Sequence, residues 1–429
     1  MRHRTRTSLG LLAAGCAAAA VVGCGSTPAA PTRVDVAMVR GVATAEPAVS
    51  PRPLAVADTG FGLDVMRAWC GQNPGHNLVF SPSTLASALG LAYLGARGAT
   101  ASAIARVLDL PAGTPRAALE AELQARVEAL GRLDGPGVTL GASDQVWADP
   151  TLTTLRSYLD AVATGYHAGV AQAPFSTDPA RAAAEINQAI SAATHGHISQ
   201  LVNAGMLDKI GWVLTSALYL NAQWATPFDP VKTQLGPFAP AGAKPVTVKF
   251  MNGDAFRYAS GGGWQAVSLP YRGGKLTMTA LLPPPVSASC ALPSQATLAS
   301  ITRSLDGPGA VANVSLPRVN LDTAGRVGDM KPALDQLGMA VAFNQQHADF
   351  AGLSPQACCI GFVQQAATLQ VGEKGTVAAA AAAVGIAASA MIAPPPITIT
   401  FNRPYLLLIT AKATGEPLFL AKVDNPAAS

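Results

Sequence analysis

The apolar positions change rhythm part-way along the chain. In the first half they recur every three or four residues, the spacing of a helix with one buried face. "TGFGLDVMRAW" is the first such stretch. Next, Leu85, Leu89, Leu91, Tyr93 and Leu94 mark a buried helix that Gly95 and Gly98 break. Ile104, Val107 and Leu108 begin another, capped by Thr100 and ended by Pro111. Leu119, Leu123, Val127 and Leu130 stripe a further amphipathic helix. "VTLGASDQVWA" reads as a strand, "LRSYLDAVATGYHA" and "RAAAEINQAISAATHG" as helices. "GWVLTSALYLNAQW" is apolar almost throughout, as a strand buried on both faces would be. From about residue 245 short strands dominate, from "KPVTVKFMN" to "PLFLAKV", and one helix, "VGDMKPALDQLGM", interrupts them. No period of solenoid length appears. Helices followed by many strands in one body predict an α+β fold.

Composition adds two constraints. Hydrophobic residues make up 49% of the 429 and charged residues 13%, ample for a large core. The formal charge of +4 falls to +1 without Arg2, Arg4 and Arg6 of the leader, so no basic surface argues for nucleic acid. The helix expected over 116–132 mixes Glu120, Glu122 and Glu128 with Arg126 and carries no basic stripe.

The N-terminus reads as an export signal over residues 1–23: a basic "MRHRTRTS", then the apolar "LGLLAAGCAAAAVVG", too short to span a bilayer. It ends "VVGC", which resembles a bacterial lipobox with Cys24 as the lipidated residue; Cys16 is a weaker competitor, and plain secretion is the alternative. Residues 24–55, rich in Pro, Ala, Ser and Thr without period, read as a disordered linker, with the folded domain at 56–429. Cys70, Cys290, Cys358 and Cys359 have neither metal-site nor disulfide-framework spacing, so buried or partly buried free thiols are expected and no metal or cofactor, a Cys70–Cys290 bond being the alternative that nothing in the sequence supports.

Near the C-terminus stands "EKGTVAAAAAAVGIAASAMIAPPP", residues 373–396. Six alanines would favour a helix, but glycines flank them and three prolines close the stretch. On composition alone this is an exposed alanine linker. Its neighbours change that reading. "NLVFSPSTLASALGLAYLGARGATASAI", "VLTSALYLNAQWATPFDP", "VSLPYRGGKLTMTALLP", "VSLPRVNLD", "ALDQLGMAVAFNQQHADFAGLS", "EKGTVAAAAAAV" and "FNRPYLLLITAKATGEPLFLAKVDNP" occur in this order from about residue 57 to 426. Together they resemble the serpins, inhibitors of serine proteases.

The resemblance implies a large sheet flanked by helices and an exposed reactive loop over about 373–396. In inhibitory members a protease cuts the loop, which then inserts into the sheet as an extra strand while the protease is held as an acyl-enzyme. The ribbon's composition suits that passage: bulk would have to pass between strands, and a charge would be buried unpaired. The hinge comprises Glu373, Gly375, Thr376, Ala378, Ala379, Ala380, Ala381 and Ala382. Val377 stands where the family has glutamate, and Ala382 where threonine is frequent. The scissile bond falls at Ser389–Ala390 counting from Gly375, and at Met391–Ile392 counting back from Phe401. No Arg or Lys lies within 377–400, which argues against a trypsin-like target and for an elastase- or chymotrypsin-like one.

Other positions carry over singly. Ser81 and Thr84 match the shutter beneath the central strands, Asn187 with Thr194 and Gly196 further framework points, Trp224 the breach where the loop enters. Glu373 and Arg318 match an ion pair at the sheet's top, which a surface setting would make worth about 0–1 kcal/mol. Ser216 replaces the usual asparagine, and Gln364 or Gln365 the shutter histidine. No G-x-S-x-G or H-E-x-x-H motif supports an enzyme, and His195 and His197 read as loop residues. The reading is a monomeric suicide inhibitor that forms a covalent complex with a serine protease and meets the membrane only through a lipid anchor. The alternative is a non-inhibitory surface protein of the same fold.

Overall fold

Helix α1 begins at Arg52, ahead of the expected domain boundary, with Pro53 in its first turn, and runs to Gln72. The computed structural model describes residues 36–110, 114–207, 210–285, 290–322, 328–376 and 397–428, within one unit, Val34–Ser429. Part of the expected linker therefore belongs to the body. Strand β1 (Met38–Val39) pairs with Ala171 and Val170. The Val42 N–H donates to Asp160 Oδ1 at 2.7 Å and the Thr44 N–H to Thr164 Oγ1 at 3.0 Å. Edge pairing uses backbone groups, so it leaves no hydrophobic period to read. Residues 24–35 lie outside the described residues.

In chain order, β2 (Leu78–Phe80) leads into helix α2 (Pro82–Gly95), capped by Ser81, whose Oγ accepts from the Thr84 N–H at 3.2 Å. Helix α3 (Gly98–Val107) starts at Arg97 without a side-chain cap. Thr100, expected as that cap, instead accepts from the Asp349 N–H at 2.9 Å. Helix α4 (Arg116–Gly131), strand β3 (Val138–Ala148), helix α5 (Arg156–Tyr166), strand β4 (Val170–Gln172), helix α6 (Pro179–Ala193), a turn α7 (Ala204–Leu207) and β5 (Trp212–Gln223) follow. Then come β6 (Gln234–Phe238), β7 (Val246–Gly261), β8 (Trp264–Pro270), β9 (Leu276–Leu282), helix α8 (Gln295–Asp306), β10 (Val311–Pro317), β11 (Val319–Asp322) and β12 (Gly328–Asp329). The helix expected around 327–339 is broken at Gly338, φ 105°. Last are β13 (Gln364–Gly372), β14 (Gly375–Thr376), β15 (Ile397–Thr400), β16 (Tyr405–Ala411) and β17 (Pro417–Val423).

Among the described residues these strands form two sheets. The first runs β1-β4-β3-β5-β14-β13-β11, with β12 also on β13; the second runs β15-β10-β7-β8-β9-β16-β17-β2, with β6 on β7. The core between them holds Leu218, Leu220 and Ala222 of β5 and Ala367, Leu369 and Val371 of β13, against Phe250, Met278 and Leu407. On the far side of the first sheet, Ile186 and Ile190 of α6 pack on Val213, Ala217 and Ala366. Strand β5 is thus covered on both faces, as its unbroken apolar run implied. Helices α1, α2 and α8 close a further core around Phe61, Leu89 and Ile301.

Two cysteines depart from expectation. Cys70, at the buried end of α1, is joined to Cys290 by a disulfide across 220 residues, with Cα atoms 5.8 Å apart. Sequence spacing carries no sign of a meeting that only the packing of α1 on the segment before α8 creates. Cys358 and Cys359 are free. No helix among the described residues is long and apolar enough to cross a membrane.

Candidate functional site at the root of the ribbon

The chain reverses at residues 373–374 and begins a new strand between two that already belong together. Strands β5 and β13 run parallel and pair directly only at Ser216–Gln365, Ala217–Ala366 and Leu218–Ala367. Above that contact β14 separates them. Gly375 and Thr376 pair antiparallel with Gln223 and Ala222 of β5, and with Gly372 and Val371 of β13. Gly375 makes this possible. Its φ is 149°, and a Cβ there would lie 2.1 Å from the Ala222 carbonyl oxygen.

Several groups hold the reversal. The Trp224 ring stacks on Tyr271, centroids 4.4 Å apart, and its Nε1–H donates to the Gly372 carbonyl at 2.9 Å. Backbone N–H groups of Trp224 and Phe228 donate to the carbonyls of Lys374 and Glu373 at 2.9 and 2.8 Å. Thr376 is fully buried and shares a 2.6 Å hydrogen bond with the Tyr271 hydroxyl, whose own ionisation burial suppresses. Glu373 accepts from Arg318 Nε at 2.7 Å and from Thr233 Oγ1 at 2.6 Å. Burial pushes the Glu373 carboxyl up, yet the Arg318 and Thr233 hydrogen bonds outweigh it and its pKa lies below the ordinary glutamate value. With the Glu373 side chain only 9% exposed, this is not an ordinary surface pair.

Lower down, β13 is tied to α2 by Gln365. Its Nε2 donates to the Ser81 carbonyl at 2.8 Å and to Thr84 Oγ1 at 2.9 Å, while its Oε1 accepts from the Ser81 N–H at 3.3 Å. Gln365, not Gln364, is therefore the buried one of the pair. The opposite residue on β5, Ser216, is also buried, with Asp144 of β3 facing it across the sheet. Asn187 lies elsewhere: its side chain bonds the backbone of Leu201 and Val202 and fastens α6 to the loop after it. Thr194 closes the end of α6 on Ile190 and Ile198, next to Gly196 at φ 81°. His197 stacks on Tyr219 of β5 at 4.0 Å, as a covering loop residue.

The structure thus brings Glu373, Gly375, Thr376, Trp224 and Arg318 together at one end of the sheet, and Ser81, Thr84 and Gln365 near its middle. Tyr271, Thr233 and Ser216 complete the two groups. Of these, Tyr271 and Thr233 carry no signal in the sequence beyond their places at strand ends. Cys24, Val377, Ala378, Ala379, Ala380, Ala381, Ala382, Ser389, Ala390, Met391 and Ile392 lie outside the described residues.

Residues 56–426 match the family model of the serpins, described as serine protease inhibitors. The chain is a serpin. Human leukocyte elastase inhibitor is 29% identical to it over 388 residues, covering 87% of this chain and 99% of that protein. An uncharacterized serpin-like protein of Thermococcus kodakarensis is 30% identical over 389 residues, covering 87% and 86%. Among solved structures, Serpin48 of the insect Tenebrio molitor superposes with a TM-score of 0.70 at 25% identity, covering 87% of this chain and 98% of that one. The thermophilic serpin tengpin in its native state gives 0.75 at 20%, covering 91% and 100%, which speaks for the fold alone. As a family, serpins are protease inhibitors rather than enzymes.

Proposed function

We propose that this serpin is a suicide inhibitor of elastase- or chymotrypsin-like serine proteases, and that its cut loop inserts between β5 and β13. One observation carries the reading: β14 is already a two-residue strand between them, paired on both sides. Continued at the same register, residue 377 meets Asn221 and Gln370, and residue 380 meets Leu218 and Ala367. Residue 382 arrives opposite Ser216 and Gln365, so the three direct β5–β13 pairs give way to Ala380, Ala381 and Ala382.

The same register assigns a face to each side chain, since alternate residues of a strand point to opposite sides. Thr376 lies opposite Ala222, so 378, 380 and 382 share the side of Leu220, Leu218 and Ser216, which faces the inter-sheet core. Small uncharged residues suit that side. Val377 comes opposite a half-buried Asn221 and an exposed Gln370, where a branched or charged side chain is tolerable.

Insertion supplies backbone hydrogen bonds worth about 0.5–1.5 kcal/mol net per residue. Over a strand this rivals the ~5–15 kcal/mol that stabilises a typical domain. The scissile bond is Ser389–Ala390 in this reading, Met391–Ile392 being the alternative.

The chain is exported and held outside the membrane by a lipid on Cys24. The Cys70–Cys290 disulfide supports export, since such bonds persist in oxidising compartments. Palmitate labelling that survives Cys24→Ser would refute the anchor. For the inhibitor, incubation with elastase followed by a denaturing gel is expected to show an SDS-stable adduct. Simple cleavage without adduct leaves the non-inhibitory alternative.

A further inference from the structure

A cavity of about 780 Å³ opens between α4, the segment 46–51 and the β16–β17 turn, bordered by Lys275 of the β8–β9 hairpin. That volume is within the range of small-molecule sites. Much of its wall is small and apolar: Ala121, Ala125, Ala129, Leu130 and Leu133 from α4 and its end, and Val49 from the facing segment.

Its inner wall holds charge. Arg126 and Glu416 are 3% and 1% exposed, and both line the cavity. Arg126 Nη1 donates to Asp58 Oδ2 at 3.0 Å, with Asp58 likewise buried. Its Nη2 has no partner, and neither Glu416 oxygen accepts from any N–H or O–H among the described residues. Asp58 stands within hydrogen-bonding reach of Glu416, and two carboxyls can bond each other only across a shared proton. Asp144 also acts on Arg126. One guanidinium therefore faces several carboxyls, and an unpaired buried charge is costly. With all of these carboxyls ionised, the cluster would lack a cation.

The carboxyls respond as expected. Burial, ahead of every other cause, pushes Asp58 and Glu416 above their ordinary values and Asp144 up to about 6. Burial opposes the charge on Arg126, but Asp58 and its neighbours more than restore it. At the rim, Arg132 is paired with Glu128 at 2.9 Å, and Lys275 donates to the carbonyls of Arg132 and Asp134. Glu46 adds an acid and Lys412 a base.

We propose that this cavity binds a small primary amine with an apolar body, its ammonium against Glu416 and its body along the α4 alanines. The ammonium takes the place of the proton that Glu416 shares with Asp58, so binding releases that proton to solvent.

Three probes of one shape test this by titration calorimetry on the full chain: 4-phenylbutylamine, 4-phenylbutanol and 4-phenylbutanoate. The amine is expected to bind at least tenfold more tightly than either other probe. Its heat at pH 7 should vary with the buffer's ionisation enthalpy as release of about one proton requires. Glu416→Gln should weaken the amine at least tenfold. Ala125→Phe, which fills the cavity without touching the charges, should abolish binding and leave the melting temperature within a few degrees. Equal binding of the carboxylate or alcohol, no binding of the amine, no proton release, or full affinity in Ala125→Phe would each overturn the proposal.

Discussion

Each residue of the ribbon is a separate test of register. Ala380, continued from β14, meets Leu218 and Ala367, each 1% exposed. An arginine there has no partner in the core, so Ala380→Arg should turn the inhibitor into a substrate: cleavage at normal rate, adduct lost. Val377→Glu, at a position opposite exposed Gln370, should leave adduct yield unchanged. Densitometry of the two variants after elastase treatment checks both; equal yields would refute the register. Gln365→Ala removes the three hydrogen bonds that tie β13 to Ser81 and Thr84, at a cost of about 1–3 kcal/mol. Thermal denaturation of the uncut variant should show the drop.

Glu373 makes the root acid-sensitive. Its carboxylate has a lowered pKa, so the stability it contributes is present above the unfolded value of 4.5 and is lost as pH falls through the folded value. Below about pH 4.5, hydrogen exchange at Gly375 and Thr376 should accelerate, and Glu373→Gln should exchange faster already at pH 7 with little further change in acid. Unaltered protection in the variant would show that the Arg318 contact does not hold the root.

At the scale of elements, β5 could be read from its pattern because burial on both faces leaves a plain apolar run. Parity could also have separated the two glutamines: Gln365 shares a face with Ala367, Leu369 and Val371, whereas Gln364 alternates with Gln370, which is exposed. Other features were not legible for physical reasons. The strand at Met38–Val39 is made of backbone pairing, which has no side-chain signature. Cys70 and Cys290 meet only through tertiary packing, 220 residues apart. Tyr271 reaches Thr376 because a strand of the second sheet ends beneath the first. The loop of 220 residues closed by the Cys70–Cys290 disulfide restricts the unfolded chain by about 5.4 kcal/mol in the chain-entropy account. Reduction should therefore lower the melting temperature of the intact protein, and Cys70→Ala should do so without reductant; identical melting curves would show that the bond is dispensable.

For the whole molecule, the arrangement is a sheet with a two-residue wedge in place and a gap that only three residue pairs close below it. The ribbon's lack of charge and bulk is what the proposed insertion requires, with the second sheet covering one face of the first sheet and α6 the other. A gain of about ten residues of backbone pairing, at ~1 kcal/mol each, should raise the melting temperature by roughly 10–15 °C.

The most direct measurement is the thermal stability and crystal structure of the protein after a single cut within 384–392. A melting temperature higher by roughly 10–15 °C and a new central strand with Ala380 between Leu218 and Ala367 are the expected result. An unchanged melting temperature, with Gln365–Ala367 still paired directly to Ser216–Leu218, would contradict the mechanism and leave the fold alone standing.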